Sequence, residues 1–75
     1  MKIMHYYERL KAVREDLDLT QKEVADAIQS TQAQIWKYES GKQIMTIERL
    51  KEICLLYKVS ADYILGLPRD LNWPR

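Results

Sequence analysis

The side chains best suited to specific polar contacts lie in one short segment, from Gln32 to Lys37. The amide of Gln32 can donate and accept hydrogen bonds together, so it can form a bidentate pair with N6 and N7 of adenine. Ala33 has no polar group, but its methyl can contact the methyl of thymine. Gln32 and Gln34 have a second interpretation, because both are also suited to capping the start of a helix. The segment therefore predicts contacts to nucleotide bases or ordinary helix capping.

Trp36 and Lys37 belong to the same side of this segment. Ile35 and Tyr38 mark its apolar side, and Trp36 points about 100° away from Ile35 if the segment is a helix. An exposed Trp36 can pack on a sugar-phosphate edge or donate its indole N–H to a phosphate. The alternative is partial burial against a neighbouring helix or a partner chain. Lys37 is a candidate for a phosphate or base contact.

Two helix-start signals, close together, position these residues. The sequences TQKE (20–23) and TQAQ (31–34) each place a Thr three residues before a Glu or Gln, as in a capping box. They predict helices over Gln21 to Ile28 and Gln32 to Glu39, with a tight turn around Gln29 and Ser30 between them. Helices this short are not stable alone, so other helices must hold them. The pattern is typical of a helix-turn-helix, whose second helix can enter the major groove of DNA.

The remaining elements are also helical by their spacing. A first helix is expected to end near Asp16 to Asp18, Thr46 is the expected cap of a longer fourth helix, and Ser60 that of a short fifth. The three apolar stripes are Tyr6, Leu10, Val13 and Leu17; Ile47, Leu50, Ile53, Cys54 and Tyr57; and Ile64, Leu65 and Leu67. No segment is typical of a strand. The predicted fold class is therefore all-α, with five helices around one core.

Size and composition restrict the possible functions. The 75 residues suffice for one small domain, with a core over about 6–67 and a short tail over 68–75. The lone Cys54 excludes an internal disulfide and disfavours a cysteine metal site. No apolar run approaches the roughly 20 residues that cross a bilayer, and no signal-peptide pattern is present, so a cytoplasmic protein is expected. The net charge of +1 does not by itself predict DNA binding.

The chain resembles the phage-repressor/Cro-type helix-turn-helix family, also called the Xre family. About a dozen positions between Tyr7 and Leu67 carry the resemblance. They are Leu19-Thr20-Gln21, Ala25, Ile35, Tyr38-Glu39-Ser40-Gly41-Lys42, Leu50 and Val59 to Leu65. The resemblance implies a five-helix, lambda-repressor-like DNA-binding domain that binds a double-stranded operator sequence-specifically, usually as a dimer.

The resemblance also implies roles for individual residues. Gln21 would bond a DNA phosphate and brace the recognition helix, and Lys42 would lie beside the DNA backbone. The reading positions of the recognition helix would be Gln32, Ala33, Trp36 and Lys37. Arg14 would pair with Glu39 to join the first helix to the third; the alternative is two unrelated surface charges.

The chain departs from the family pattern in two places. Gln29 stands in the turn where many members have Gly, and a left-handed conformation there costs about 1 kcal/mol relative to Gly. After Lys42, where basic or proline residues are frequent, the chain has Gln43, Ile44 and Met45. This loop offers less positive charge to DNA phosphates.

Two functions are compatible with these residues. The first is a DNA-binding transcriptional regulator, a repressor whose dimer places two recognition helices about 34 Å apart on a palindromic operator. The second is a protein-interaction module or antitoxin-like partner that kept the fold with weak DNA binding. The expected dimer seam, or alternatively a lid over the chain's own core, is Leu65, Leu67, Leu71 and Trp73. No nucleophile–base pair, carboxylate pair or metal cluster has usable spacing, so no enzyme activity, cofactor, small-molecule substrate or membrane partner is expected.

Overall fold

The computed structural model describes residues 4–68, and all regular elements in that range are helices. The helices are α1 (Tyr6–Asp16), α2 (Gln21–Ala27), α3 (Gln32–Ser40), α4 (Ile47–Tyr57) and α5 (Ala61–Leu65). α3 packs against α1 and α2, while α5 packs against α1 and α4. The predicted all-α, five-helix architecture is confirmed. Within residues 4–68 no helix has the length and apolar character needed to cross a membrane.

Hydroxyl side chains begin four of the five helices. Each accepts a hydrogen bond of 3.0–3.1 Å from the backbone N–H three residues further on; they are Thr20, Thr31, Thr46 and Ser60. The Glu23 carboxylate also accepts from the Thr20 N–H at 2.9 Å, which completes the capping box of α2. The capping box predicted for α3 is only half present. The Thr31 hydroxyl accepts from the Gln34 N–H, but the Gln34 side chain accepts no bond from the Thr31 N–H, and its amide nitrogen is buried.

Left-handed residues close the turns between the helices. Gln29, between α2 and α3, has a φ of 56°, so the strain anticipated at this non-glycine position is present. Gly41 and Gly66 end α3 and α5 with φ values of 77° and 70°. Asp18 and Lys58 are also left-handed, with φ values of 57° and 58°; Asp is among the non-glycine residues enriched in this conformation, whereas Lys is not.

One core lies between the five helices. Its buried apolar residues are Leu10, Val13, Val24, Ala25, Ile28, Ile35, Tyr38, Ile53, Cys54, Tyr57 and Ile64. Four residues expected on the apolar stripes are exposed instead: Leu17 by 45%, Ile47 by 82%, Leu65 by 44% and Leu67 by 45%. Leu17 and Leu67 lie just past the ends of α1 and α5, Ile47 is the first residue of α4, and Leu65 is the last of α5. All four positions are at helix ends, where the stripe extends beyond the packed region.

Arg49 joins α4 to the end of α2. Its Nη1 donates to the carbonyl oxygen of Ile28 at 2.7 Å, and Ile28 is the C-cap of α2. The last carbonyls of a helix have no partner within the helix, so this contact satisfies one of them. Since α2 has only seven residues, the bond stabilises it immediately before the turn into α3.

Candidate nucleic-acid interface

α3 has a buried side and an exposed side. Ile35, Tyr38 and Glu39 are buried under α1 and α2. Four residues on the opposite side are exposed and are called the outward row here: Gln32, Ala33, Trp36 and Lys37. Trp36 is 51% exposed, in agreement with its predicted direction away from Ile35. The outward row begins at the N-terminal end of α3 and presents an amide, a methyl, an indole and an ammonium group to solvent.

A buried ion pair fixes the end of α3 to α1. Arg14 Nε lies 2.7 Å from Glu39 Oε2, and Arg14 Nη2 lies 3.1 Å from Oε1, a bidentate arrangement. The two side chains are only 10% and 5% exposed, respectively. Arg14 Nη1 also donates to the Leu19 carbonyl at 2.7 Å. The hydrogen bond to Glu39 raises the pKa of the Arg14 guanidinium above its ordinary value. The structure thus contains the pair that the family resemblance implies.

Gln21 connects α2 to the same Glu39 carboxylate. Its Nε2 donates to Glu39 Oε1 at 3.0 Å, so side chains of α1 and α2 both bind one carboxylate of α3. A Gln amide has two N–H groups and one acceptor oxygen, which leaves a second N–H for another partner. The bracing half of the role implied for Gln21 is present; the phosphate contact stays a prediction.

A small recess lies beside this contact. It has a volume of about 80 Å³ and is lined by Lys11, Gln21, Trp36, Glu39 and Ser40. Trp36 is therefore one wall of a shallow depression against α1 and α2 and keeps half of its surface in solvent. Its position is intermediate between the free side chain and the packed side chain that the sequence left open.

The positive charge of this face is modest. Lys37 and Lys42 are exposed, and neither pairs with an acid in the described part of the chain. Lys22 Nζ, in contrast, lies 3.0 Å from Asp26 Oδ2 on the surface of α2. In the loop after Lys42, the next exposed residues are the uncharged Gln43 and the apolar Ile44, which is 83% exposed. Few cations are thus available to neutralise phosphates.

Gln34 differs from the other residues predicted to contact DNA. It is half-buried, and its Nε2 is enclosed with no hydrogen-bond partner among residues 4–68. The side chain is therefore turned toward the domain, and the outward row does not include it.

Tyr7 supports the C-terminal end of α3, a contact that sequence reasoning missed. A Cβ atom added to Gly41 would lie 2.8 Å from Tyr7 Cζ, so the Tyr7 ring packs directly on the glycine. The ring also stacks on exposed His5, with centroids 5.0 Å apart. The positive φ of Gly41 was expected from its place after α3; the close approach of Tyr7 had no signal in the sequence.

The residues expected at a dimer seam are only partly described. Leu65 and Leu67 are 44% and 45% exposed, whereas Leu71 and Trp73 lie outside the described residues. Leu65 lines a groove with Tyr6, and Leu67 lines a separate cleft beside Arg9. The two exposed leucines therefore belong to different depressions.

The other singled-out residues have structural positions. Cys54 is buried as predicted, and burial raises the pKa of its thiol. Tyr57, on the apolar stripe of α4, is deeply buried, with 4% exposure, whereas Tyr63 on α5 is 51% exposed. The Arg9 guanidinium lies 5.6 Å from the centre of the Tyr63 ring, a cation–π distance.

Comparisons with known proteins agree with this geometry. A helix-turn-helix family model matches residues 10–64. The uncharacterized HTH-type transcriptional regulator YobD of Bacillus subtilis (strain 168) is 34% identical over 65 residues, which are 87% of this chain and 58% of that protein. The HTH-type transcriptional activator BcrR of Enterococcus faecalis is 34% identical over 63 residues, or 84% of this chain and 31% of that protein. The chain therefore spans less than two thirds of the length of these curated relatives.

The fold is also that of a solved repressor. The crystal structure of the P22 c2 repressor in complex with a synthetic operator matches with a TM-score of 0.78 and 22% identity. The match covers 84% of this chain and 96% of the P22 chain, which confirms the lambda-repressor-like fold. Since the family model spans α2 and α3 and most of the chain, the protein belongs to the phage-repressor/Cro-type (Xre) helix-turn-helix family.

Proposed function

We propose that the protein is a sequence-specific DNA-binding transcription regulator that reads the major groove with α3. The exposure of the outward row, on a helix fixed from behind by Arg14, Glu39 and Gln21, is the observation that carries this proposal. The major groove is about 12 Å wide and admits an α-helix. The family membership and the regulators among the relatives support it.

Each exposed residue has a chemical role in this proposal. Gln32 pairs with an adenine edge, and the Ala33 methyl contacts a thymine methyl. Lys37 and Lys42 bind phosphates, which set the register of the protein without reading the sequence. The free N–H of the Gln21 amide and the Trp36 indole N–H are two further donors beside the recess, both suited to a phosphate oxygen.

We further propose that the protein acts without catalysis in the cytoplasm, as a homodimeric repressor. A dimer places two copies of α3 about one helical turn apart, so a palindromic operator follows from the two-fold symmetry. Repression is the simplest outcome, because occupation of an operator can block transcription without any contact to polymerase. Leu65 and Leu67 are the described residues proposed for the seam, since both are exposed at or just past the C-terminal end of α5.

Selection of bound sequences from random duplexes tests the proposal directly. Once a site is known, Gln32→Ala should weaken binding by about 1–3 kcal/mol and relax the preference at one base pair. Lys42→Ala should weaken binding to all sequences alike. Lys51→Ala, which removes an exposed lysine on α4, is the matched control and should change neither property. An unchanged base preference in Gln32→Ala would refute its reading role.

The interaction-module alternative is favoured by one observation, the exposed Ile44 in a loop where cations are expected. A salt titration separates the two functions. Phosphate contacts predict that the logarithm of the binding constant falls linearly with the logarithm of salt concentration. An interaction module would enrich no sequence and would bind DNA poorly at every salt concentration.

A further inference from the structure

Lys11 belongs to α1 but lies beside the outward row. It lines the recess of about 80 Å³ together with Gln21, Trp36, Glu39 and Ser40, and Trp36 is a member of the outward row. The recess therefore borders the proposed DNA-binding side of α3. Lys11 is exposed and pairs with no acid in the described part of the chain. No role for this lysine followed from the sequence.

The charges around the recess favour a bound anion. Glu39 is the one acid among the five lining residues, and its two carboxylate oxygens already accept hydrogen bonds from Arg14 and Gln21. The Arg14 guanidinium balances the charge of Glu39 at an Nε–Oε2 distance of 2.7 Å. Because this pair is neutral as a whole, the Lys11 ammonium gives the recess a net positive charge.

Three of the lining side chains have N–H groups with no acceptor among residues 4–68. The Lys11 ammonium has three donors, the Gln21 amide has one left after its bond to Glu39, and the Trp36 indole has one. The Ser40 hydroxyl, in contrast, already donates to the Lys37 carbonyl at 3.3 Å. The volume of about 80 Å³ holds roughly two or three groups the size of a water molecule, at about 30 Å³ each. The recess therefore suits the non-bridging oxygens of a single phosphate.

We propose that Lys11, Gln21 and Trp36 together bind one backbone phosphate of the DNA, with Lys11 as a DNA-binding residue supplied by α1. This inference rests on the proposed function, because it names a further contact to the same duplex. A phosphate contact fixes the position of α3 without reading the bases. It also offsets in part the missing cations of the loop after Lys42, where Gln43 and Ile44 stand.

The salt dependence of DNA binding by the full chain tests the charge of Lys11. Each phosphate contact contributes about 0.9 to the slope of log K against log salt concentration. Per bound protomer, the unchanged protein should thus lose about 3.5-fold more affinity than Lys11→Ala between about 50 and about 200 mM salt. Lys11→Arg keeps the charge and should retain the slope. Lys51→Ala, which removes an exposed lysine of α4, is the matched control and should change nothing.

Neutral phosphates in the duplex test whether the three residues share one contact. A methylphosphonate replaces one charged oxygen by a methyl group, and it is placed at each backbone position of the selected site in turn. One position in each half-site should weaken binding of the unchanged protein several-fold but affect Lys11→Ala much less, since contacts to the same group are not additive. Trp36→Phe, which keeps a ring but removes the indole N–H, should show the reduced effect at the same position and leave the base preference unchanged.

Two results would overturn this inference while leaving the proposed function standing. One is a salt slope that Lys11→Ala does not change although Lys42→Ala lowers it. The other is a loss from Lys11→Ala that adds fully to the methylphosphonate loss at every position, which would mean that Lys11 acts only through its distant field. If the unchanged protein binds no duplex even at about 50 mM salt, where phosphate contacts are strong, the proposed function fails and this inference fails with it.

Discussion

Replacing Glu39 by Gln tests the claim that a buried charge holds α3 in place. The wild-type carboxylate accepts three hydrogen bonds, two from Arg14 and one from Gln21. Glu39→Gln keeps the shape of the side chain but removes its charge and turns one acceptor into a donor. That amide N–H₂ then faces a guanidinium or amide donor, and Arg14 loses its counter-ion at a site where its side chain is only 10% exposed.

The expected loss of stability is large for a domain of this size. Removing one partner of a buried ion pair costs about 3–5 kcal/mol. Arg14 keeps its bond to the Leu19 carbonyl, so the loss should lie near the lower end, about 3 kcal/mol. A 75-residue domain has a total unfolding free energy of roughly 4–11 kcal/mol, at about 0.05–0.15 kcal/mol per residue. Glu39→Gln should therefore remove a large fraction of the stability.

Urea unfolding followed by circular dichroism measures this change. The control is Asp26→Asn, because the Lys22–Asp26 pair has a similar distance of 3.0 Å but side chains that are 72% and 66% exposed. That control should lose no more than about 0.5 kcal/mol. The double variant Arg14→Met, Glu39→Leu should recover most of the loss, because it removes both charges together.

A small effect would contradict the reasoning. If Glu39→Gln costs less than about 1 kcal/mol, it falls in the range of exposed pairs, and the Arg14 guanidinium must be hydrated in solution. Failure of the double variant to recover stability would point instead to Gln21, whose amide also loses its partner on α3.

Two glycines and one buried tyrosine give the remaining predictions. Gly66→Ala should cost about 1 kcal/mol for its left-handed backbone, while Gly41→Ala should cost about 1–3 kcal/mol more, because its Cβ would meet the Tyr7 ring. Thermal melts compare the two, and equal losses would mean that the ring moves aside freely. Burial raises the pKa of the Tyr57 phenol above its ordinary value of 10.0, so above that pH the unfolded chain releases a proton that the folded chain retains. The free energy of unfolding should then fall as the pH rises, by up to about 1.4 kcal/mol per pH unit from this site. Urea unfolding of Tyr57→Phe should show a shallower fall. If the two proteins lose stability in parallel, Tyr57 ionises freely in the folded state.

The sequence predicts α2 and α3 well because their signals are local. Thr20 and Thr31 cap the helices through contacts three residues away, and the observed bounds agree with the predicted ones to within one residue at each end. The outward row follows from the same local information. Once Ile35 and Tyr38 are assigned to the core, helical geometry alone directs Trp36 to solvent.

The sequence fails where a contact joins residues far apart in the chain. The bond from Arg49 to the Ile28 carbonyl and the packing of Tyr7 on Gly41 depend on how the helices cross, which no local pattern encodes. Gln34 shows a different limit. A Gln at the third helical position can turn back to the cap or turn inward, and the surrounding packing decides between them. The exposure of Ile47 has the same origin, since periodicity does not reveal where the neighbouring helices end.

On α3, the residues that fix the helix to the domain are different from those proposed to contact DNA, and this has a practical consequence for engineering. Among residues 4–68, the side chains of Gln32, Ala33 and Lys37 take part in no hydrogen bond, ion pair or core contact. Exchanging these three residues should therefore leave folding nearly unchanged while altering which duplex is preferred. The domain is thus a convenient scaffold for libraries of variants with new target preferences, screened without a stability penalty at each step.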